Sequence, residues 1–218
     1  MKIHQSLNVV IIDYGMGNLQ SVKNALEKLG NCKITISGKA RNIKKSDLLI
    51  LPGVGAFQDG MHELNKRNLS KAIIQETKNK KKPLLGICLG MQLLFDHSEE
   101  NGFHKGLGLI KGSVKKFNIN KKFRIPHVGW NNIFFKKNSK LFKNINFDKN
   151  FYFLHSYHAL TNKKYVIAKS NYGKNFVAAV LKKNIVGVQF HPERSQANGL
   201  VFLKNYFKIL LKNKKKYN

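Results

Sequence analysis

A cysteine lies between two glycines at the point where an apolar run changes its periodicity. Residues 83–87 read PLLGI, the pattern of a short strand that is buried on both faces. After Cys88, apolar residues recur with helical spacing at Leu89, Leu93 and Leu94, so the pattern predicts that a strand turns into a helix at the cysteine. Gly-x-Cys-x-Gly at such a turn is the thiol form of the nucleophile elbow. The helix N-terminus would favour the thiolate.

A buried cysteine on an apolar strand is more often inert than catalytic, so this interpretation depends on a base elsewhere in the chain. The stretch IVGVQFHPE at residues 185–193 supplies one. His191 and Glu193 are two residues apart, so on extended chain their side chains point to the same side, and Pro192 keeps His191 out of the helical region. Together with Cys88 they form a nucleophile, a base and an orienting carboxylate, the set that acyl transfer requires.

A glycine-rich turn, Pro52-Gly53-Val54-Gly55, follows an apolar run and is expected near the same edge of the sheet. Its glycines would let backbone N–H groups approach a developing oxyanion beside the N–H of Leu89. An ordinary strand-to-loop turn explains this stretch equally well when it is read alone.

The three stretches GICLGMQ, PGVGAF and GVQFHPE together resemble class I glutamine amidotransferases, in which a Cys-His-Glu triad releases ammonia from glutamine through a glutamyl thioester. They match in order and spacing over essentially the full length. Within that class the chain is most similar to the glutaminase subunits of imidazole glycerol phosphate synthases. The stretches DYGMGNLQSV, PHVGWN and YFLHSYH carry this second resemblance.

The resemblance implies a role for each matched position, including a PGVG peptide that flips when the partner activates the enzyme. The implied catalytic residues are Cys88, His191 and Glu193, and the implied oxyanion-hole donors are the backbones of Val54 and Leu89. The implied glutamine-binding residues are Gly53, Gly55, Gln92, Glu100, Ser156 and Tyr157. Asn18 and Trp130 would face the partner, although Asn18 also fits a plain helix cap and Trp130 a core residue.

The resemblance also implies a partner, a (β/α)8-barrel cyclase of histidine biosynthesis, and glutamine as the substrate, with no cofactor and no metal. Every stretch of the chain is used in the glutaminase, so the site that consumes ammonia must lie on another chain. One departure is His158, where a second tyrosine is common. Related pairs supply ammonia to sugar-modifying amidotransferases of surface polysaccharides, and this acceptor is the alternative. A metal site at His155 and His158 is not expected, because residues three apart on a strand lie on opposite faces.

The composition raises two further alternatives. With 40 basic and 11 acidic residues the net charge is +29, which predicts adventitious binding to polyanions. However, 36 of the basic residues are lysines spread along the chain, so a specific nucleic-acid-binding function is not favoured. A cysteine peptidase would use the same triad, but the glutamine-pocket and PHVGWN matches argue against it.

The element pattern predicts one α/β domain over residues 1–218, with a mainly parallel three-layer sheet, helices on both faces and an antiparallel extension in the C-terminal half. Strands are predicted at 7–13, 32–37 and 47–51, helices at 18–30 and 59–78, then the elbow. Further strands are predicted at 109–117, 130–135, 151–157, 165–170, 176–181 and 185–190, and a last helix at 197–211. Two unpaired cysteines and no membrane-length apolar run favour a cytoplasmic protein.

Overall fold

The computed structural model describes residues 6–136, 138–145 and 150–214. The strands in these residues are β1 (Leu7–Ile12), β2 (Cys32–Ser37), β3 (Leu48–Leu51), β4 (Leu84–Ile87), β5 (His97–Ser98), β6 (His104–Lys105), β7 (Gly112–Lys116), β8 (His127–Phe135), β9 (Asn150–His155), β10 (Tyr157–Thr161), β11 (Val166–Asn171), β12 (Asn175–Lys182) and β13 (Ile185–Val188). The α-helices are α1 (Leu19–Glu27), α2 (Ala40–Lys45), α3 (Phe57–Lys66), α4 (Leu69–Ile74), α5 (Leu89–Gln92) and α6 (Gln196–Lys214).

One large sheet organises the fold. Its strand order is β2-β1-β3-β4-β13-β12-β11-β8-β9. Pairing is parallel from β2 to β13 and antiparallel from β13 to β9. The predicted fold class, a mainly parallel central sheet with an antiparallel C-terminal extension, is therefore confirmed. Strands β4 and β13 are neighbours at the centre of the sheet, although they lie far apart in the sequence.

The alternation of side chains along β1 shows why helices cover both faces. Val9 and Ile11 pack into one core with residues of α1 and α6. Val10 and Ile12 pack into the other core with residues of α2, α3 and α4. Because successive residues of a strand point to opposite faces, the apolar side chains of a run such as LNVVII are buried only when both faces of the sheet are covered. This arrangement gives the three predicted layers.

A smaller sheet, in the order β10-β7-β5-β6, lies beside the large one. The sequence pattern predicted one strand over residues 151–157, and this prediction was wrong. The chain leaves the large sheet at His155, and it pairs with β7 from Tyr157 onward. A hydrogen bond of 2.8 Å from Nδ1 of His155 to the carbonyl oxygen of Tyr157 closes the bend at Ser156.

The prediction of one continuous helix at 59–78 was also wrong. Asn68 adopts a left-handed conformation with φ of +56°, which ends α3 and starts α4, and α4 passes into a π turn at Gln75–Asn79. Helix α2 was missed because only Ile43 of its six residues is buried and apolar. None of the helices in the described part of the chain combines the length and the hydropathy that a membrane crossing requires.

Candidate active site

The turn between β4 and α5 has the strained geometry that the sequence predicts. Cys88 has φ of +54° and ψ of −111°, a conformation that side-chain-bearing residues rarely adopt. A Cβ atom at Gly86 would lie 2.7 Å from the carbonyl oxygen of Gly90, and one at Gly90 would overlap the carbonyl oxygen of Leu51. Both glycines are therefore required for the strand and the helix to approach each other, and the predicted nucleophile elbow is confirmed as a structure.

Strand β13 brings the histidine to the same edge of the sheet. Val188, the last residue of β13, pairs with Ile87, the last residue of β4. The carbonyl oxygen of Val188 accepts a hydrogen bond of 2.8 Å from the N–H of Cys88. His191 follows three residues later. Its backbone N–H donates to the carbonyl oxygen of Tyr152 at 2.8 Å, and its carbonyl oxygen accepts from the hydroxyl of Ser195 at 2.6 Å. The imidazole is thus held by the backbone of β9 on one side and by the start of α6 on the other.

Glu193 fixes the orientation of the imidazole ring. Its Oε1 lies 2.8 Å from Nδ1 of His191, and both side chains are buried. Burial alone would lower the pKa of His191, but the nearby sulfur of Cys88, followed by the hydrogen bond and charge of Glu193, raises that pKa to about 10. Since Glu193 accepts from Nδ1, Nε2 is the ring nitrogen left for the sulfur.

The sulfur and the imidazole interact without being aligned for a regular hydrogen bond. Nε2 of His191 is buried and has no partner of ordinary hydrogen-bond geometry among the described residues. Sγ of Cys88 instead lies 3.5 Å from the carbonyl oxygen of Leu154 in β9.

The two predicted oxyanion donors do not converge. The N–H of Leu89 donates to the carbonyl oxygen of Gly53 at 3.3 Å. The Gly53–Val54 peptide is trans, so the N–H of Val54 points away from the side on which the Gly53 carbonyl lies. In this arrangement a carbonyl oxygen, rather than a second donor, faces the N–H of Leu89.

A cavity of about 260 Å³ opens directly on the sulfur of the elbow. Five of the six predicted glutamine-binding residues line it, and Gly53 does not. These five residues are Gly55, Gln92, Glu100, Ser156 and Tyr157. The carboxylate of Glu100 is held in place because its Oε2 accepts from the N–H of Phe57 at the start of α3, at 2.8 Å. A larger cavity of about 930 Å³ lies at the opposite ends of the strands and contains none of the predicted site residues.

Comparisons with known proteins agree with this geometry. The family model "Glutamine amidotransferase class-I" matches residues 10–210. The chain belongs to the class-I glutamine amidotransferase family. This amidotransferase is 46% identical over 200 residues to "Imidazole glycerol phosphate synthase subunit HisH 2" of Vibrio vulnificus, covering 92% of this chain and 94% of the relative. It is 48% identical over 204 residues to "Imidazole glycerol phosphate synthase subunit HisH" of Sulfurimonas denitrificans, covering 92% and 97%.

The fold of the amidotransferase is also shared with solved structures. The crystal structure of a putative GMP synthase component from Thermoplasma acidophilum superposes with a TM-score of 0.72 at 18% sequence identity. The match covers 97% of this chain and 98% of that one. At that level of identity the likeness concerns the fold.

A second cavity of the amidotransferase, of about 490 Å³, adjoins the first. The two share Val54 and Leu154 in their walls, and the second is also lined by His191, Glu193 and residues of the turn before α1. Among the described residues, Oε2 of Glu193 has no hydrogen-bond partner. The second cavity therefore borders the first and brings the imidazole and the DYGMGN turn to one wall.

The two predicted interface residues of the amidotransferase lie on this side of the molecule. Asn18 lines the second cavity, and its side chain accepts from the N–H of Ser21, so it is also the N-cap of α1. Trp130 is 46% exposed, which excludes a core role, and it packs edge-on against Tyr152. The guanidinium of Arg194 covers the same Tyr152 ring at 4.2 Å. Whether these residues contact a partner stays a prediction.

Sequence reasoning missed three groups that touch the site. They are the carbonyl oxygen of Leu154, the hydroxyl of Ser195 and the side chain of Gln189. Backbone carbonyls leave no trace in a sequence. Gln189 could have been found, because it is the one polar residue in the apolar run IVGVQF and lies two residues before His191.

The histidines at 127, 155 and 158 form a buried cluster. His155 and His158 both contact the ring of Phe117, so the expectation that they lie on opposite faces was wrong, because a bend at Ser156 separates them. Burial lowers the pKa of His127 to about 4, of His155 to about 3 and of His158 to about 4. The described residues contain no group of three or more His, Cys, Asp or Glu side chains placed to hold a metal ion.

Proposed function

We propose that residues 1–218 form a single glutaminase domain that supplies ammonia to a cyclase partner, as the glutaminase subunit of an imidazole glycerol phosphate synthase. The observation that carries this proposal is the position of the Cys88 sulfur, on the wall of a glutamine-sized cavity and beside an imidazole oriented by a carboxylate. Relatives named as subunits of that synthase cover nine-tenths of the chain at 46–48% identity, which supports the choice of acceptor.

The first half of the reaction is acyl transfer to sulfur. The raised pKa of His191 keeps its imidazole protonated at neutral pH, so Nε2 already holds the proton of the Cys88 thiol, and the thiolate sulfur attacks the side-chain amide carbon of glutamine. Rotation of the Gly53–Val54 peptide would free the N–H of Leu89 from the Gly53 carbonyl oxygen and turn the N–H of Val54 inward, so that both can stabilise the resulting oxyanion. When the C–N bond breaks, Nε2 of His191 donates its proton to the leaving nitrogen, so ammonia departs and a glutamyl thioester remains. Throughout these steps, Nδ1 of His191 donates its hydrogen bond to the carboxylate of Glu193.

The second half is hydrolysis of the thioester. His191 takes a proton from water, the hydroxide oxygen attacks the thioester carbon, and the C–S bond breaks to give glutamate. The sulfur leaves as a thiolate and stays beside the protonated imidazole of His191, which restores the starting state. Glu100 is suited to hold the α-amino group of glutamine, because its carboxylate lines the cavity and is fixed by the backbone of α3. Gln92 and Tyr157 line the same cavity, and with Ser156 and Gly55 they complete the proposed glutamine site.

The ammonia acceptor is proposed to lie on a (β/α)8-barrel partner. The second cavity is lined by His191 and by the exposed residue Val54. Exposed Trp130 lies beside it, because its ring packs on Tyr152, which Arg194 of the cavity wall also covers. Exposed apolar side chains beside a cavity are typical of an interaction surface. His158, the residue that departs from the histidine-pathway pattern, is buried and stacked on Phe117, so it does not face an acceptor. We also propose a cytoplasmic location, in which the free thiols of Cys32 and Cys88 persist.

The test uses the chain together with its cognate cyclase. Cys88→Ala is expected to abolish glutamine-driven formation of imidazole glycerol phosphate and to leave the ammonia-driven reaction of the complex intact. Glutamine hydrolysis by Cys88→Ala at the wild-type rate would refute the assignment. If the wild-type chain hydrolyses glutamine but supports only a sugar-modifying amidotransferase, the glutaminase chemistry stands and the histidine-pathway acceptor is wrong.

A further inference from the structure

The side chain of Gln189 is completely buried beside the nucleophile. It follows β13 directly, and its backbone N–H is bound to the carbonyl oxygen of Ala178 at 2.9 Å. Its Nε2 lies 3.7 Å from Sγ of Cys88 as a donor, and its Oε1 accepts from Nε2 of Gln92 at 3.1 Å. Both ends of this amide are therefore used, one on the sulfur and one on a residue of the glutamine-sized cavity.

We propose that Gln189 is a positioning residue that directs an N–H donor at the sulfur of Cys88, stabilises its thiolate and holds it towards the glutamine cavity. The proposal rests on the proposed glutaminase function of this site. An N–H donor aimed at an anion in a buried site stabilises the charged form over the neutral form. The carbonyl oxygen of Leu154 can accept a hydrogen bond only from a protonated thiol, so it stabilises the neutral form of Cys88. The N–H donor of Gln189 would counteract that effect.

The orientation of the Gln189 amide is set by its neighbours. Gln92 donates its Nε2 protons to two acceptors, the carbonyl oxygen of Tyr157 at 3.0 Å and Oε1 of Gln189. Because a carbonyl oxygen can only accept, Gln92 must present its NH₂ group there. Gln189 must then present its oxygen to Gln92 and its NH₂ group to the sulfur.

The same carbonyl oxygen of Tyr157 extends the array to β8. It also accepts from Nδ1 of His155, whose Nε2 lies 3.2 Å from Nδ1 of His127. Nε2 of His127 lies 3.3 Å from Nδ2 of Asn131, in the strand that carries Trp130. Since His155 donates from Nδ1, its Nε2 accepts, so His127 donates from Nδ1 and accepts from Asn131. The Tyr157 oxygen therefore fixes the direction of each hydrogen bond on both sides of it, including the one that reaches Cys88.

The experiment compares two variants of the full chain. Gln189→Met keeps the volume of the side chain and removes both polar atoms. Gln189→Glu keeps an oxygen for Gln92 but replaces the N–H donor by a second oxygen, so it isolates the contact with the sulfur. Ser170→Ala, which removes a buried hydroxyl bound to the carbonyl oxygen of Asn132 far along the chain from the elbow, is the control for a general loss of packing. Thermal melts verify that each variant is folded.

The first readout is the pH dependence of alkylation of Cys88 by iodoacetamide, which requires no glutamine turnover. In Gln189→Met the midpoint pH is expected to rise by about one unit, and in Gln189→Glu by more, because a carboxylate repels the thiolate. The control should match wild type. A folded Gln189→Glu protein whose midpoint is unchanged would overturn the proposal.

The second readout is steady-state glutamine hydrolysis in the complex. Gln189→Glu should lower kcat about tenfold or more and change KM less than about threefold, because it keeps the acceptor for Gln92 and removes only the donor to the nucleophile. If the variant lost kcat/KM through a higher KM instead, and its alkylation profile matched wild type, the result would contradict the proposal. If wild type fails to hydrolyse glutamine while the alkylation profiles still differ, the proposed function is wrong and the contact between Gln189 and Cys88 stands.

Discussion

The backbone N–H of Leu89 donates a hydrogen bond of 3.3 Å to the carbonyl oxygen of Gly53. While this bond exists, the N–H groups of Leu89 and Val54 cannot both point at one oxyanion. A planar trans peptide cannot present its C=O and its N–H on the same side, so the N–H of Val54 is turned away while this bond exists. Rotation of the Gly53–Val54 peptide would free Leu89 and bring Val54 into position. The absence of a side chain at Gly53 matters here, because a Cβ atom there would overlap the hydroxyl of Tyr14.

The first prediction follows from this peptide. The free chain should hydrolyse glutamine slowly, and the cognate cyclase with its ligand should raise kcat by about 10²–10³-fold, the usual effect of one oxyanion-hole donor. Steady-state glutamate release with and without the partner measures this. Equal kcat values for the free chain and the complex would show that the Leu89–Gly53 bond does not limit the reaction.

The second prediction concerns the charge on the imidazole. Glu193→Gln removes a carboxylate that, after Cys88, holds the pKa of His191 up near 10, so the alkaline fall of kcat/KM should move to lower pH and kcat should fall about 10²-fold. In wild type, a raised folded-state pKa means that this stabilisation is complete below about pH 6.5 and is lost as pH rises through about 10. Thermal melts across that range should show a smaller alkaline decline in Glu193→Gln than in wild type. Identical pH profiles of activity and melting would refute the role of the carboxylate.

The sequence predicts the elbow because its geometry follows from local rules. Glycines at 86 and 90 allow the strand and the helix to approach each other at Cys88. His191 reaches the sulfur through the long-range parallel pairing of β4 with β13, which the sequence pattern did not predict, so only the HPE motif indicated this partner. The bend at Ser156 was not predicted, because the residues on both sides have equal strand propensity and only pairing with β7 distinguishes them.

Two other features could not be predicted, for different physical reasons. The break at Asn68 interrupts an apolar periodicity that continues at Leu69 and Ile73, so the pattern on both sides reads as one helix. The orientation of the Gly53–Val54 peptide is decided by tertiary contacts, and the same PGVG sequence fits either orientation. A sequence therefore predicts which groups meet at this site and leaves open which way one peptide faces.

The third prediction tests the surface beside the second cavity. Trp130→Ala should weaken binding of the cyclase by about tenfold or more, because exposed aromatic residues at interfaces often dominate the binding energy. Glutamine hydrolysis by the free chain should not change, since Trp130 lines neither cavity. Isothermal titration calorimetry measures the affinity. Leu181→Ala, an exposed apolar residue beside the cavity at the opposite ends of the strands, is the matched control. Equal losses of affinity in both variants would contradict the proposed interface.

The last prediction concerns a buried carboxylate far from the site. Glu76 is 1% exposed and forms ion pairs of 2.9 Å with Lys80 and Lys82. Burial alone would raise the pKa of Glu76, but the two lysines, whose Nζ atoms lie 2.9 Å from its oxygens, lower it overall. Glu76→Gln leaves Lys82 buried without its counter-charge and should lower the free energy of unfolding by about 2–3 kcal/mol at neutral pH. This is less than for a fully enclosed pair, because Lys80 is exposed.

The pH dependence of that loss has a defined sign. Because the folded-state pKa of Glu76 is depressed, its stabilisation is present above the unfolded value of about 4.3 and is lost as pH falls through the folded value. Urea unfolding of Glu76→Gln and wild type should therefore differ at pH 7 and converge under acid conditions. Glu27→Gln removes one partner of the exposed Lys23–Glu27 pair and should change the free energy of unfolding by less than about 0.5 kcal/mol. A constant difference between Glu76→Gln and wild type down to low pH would show that packing, rather than the ion pairs, stabilises this part of the fold.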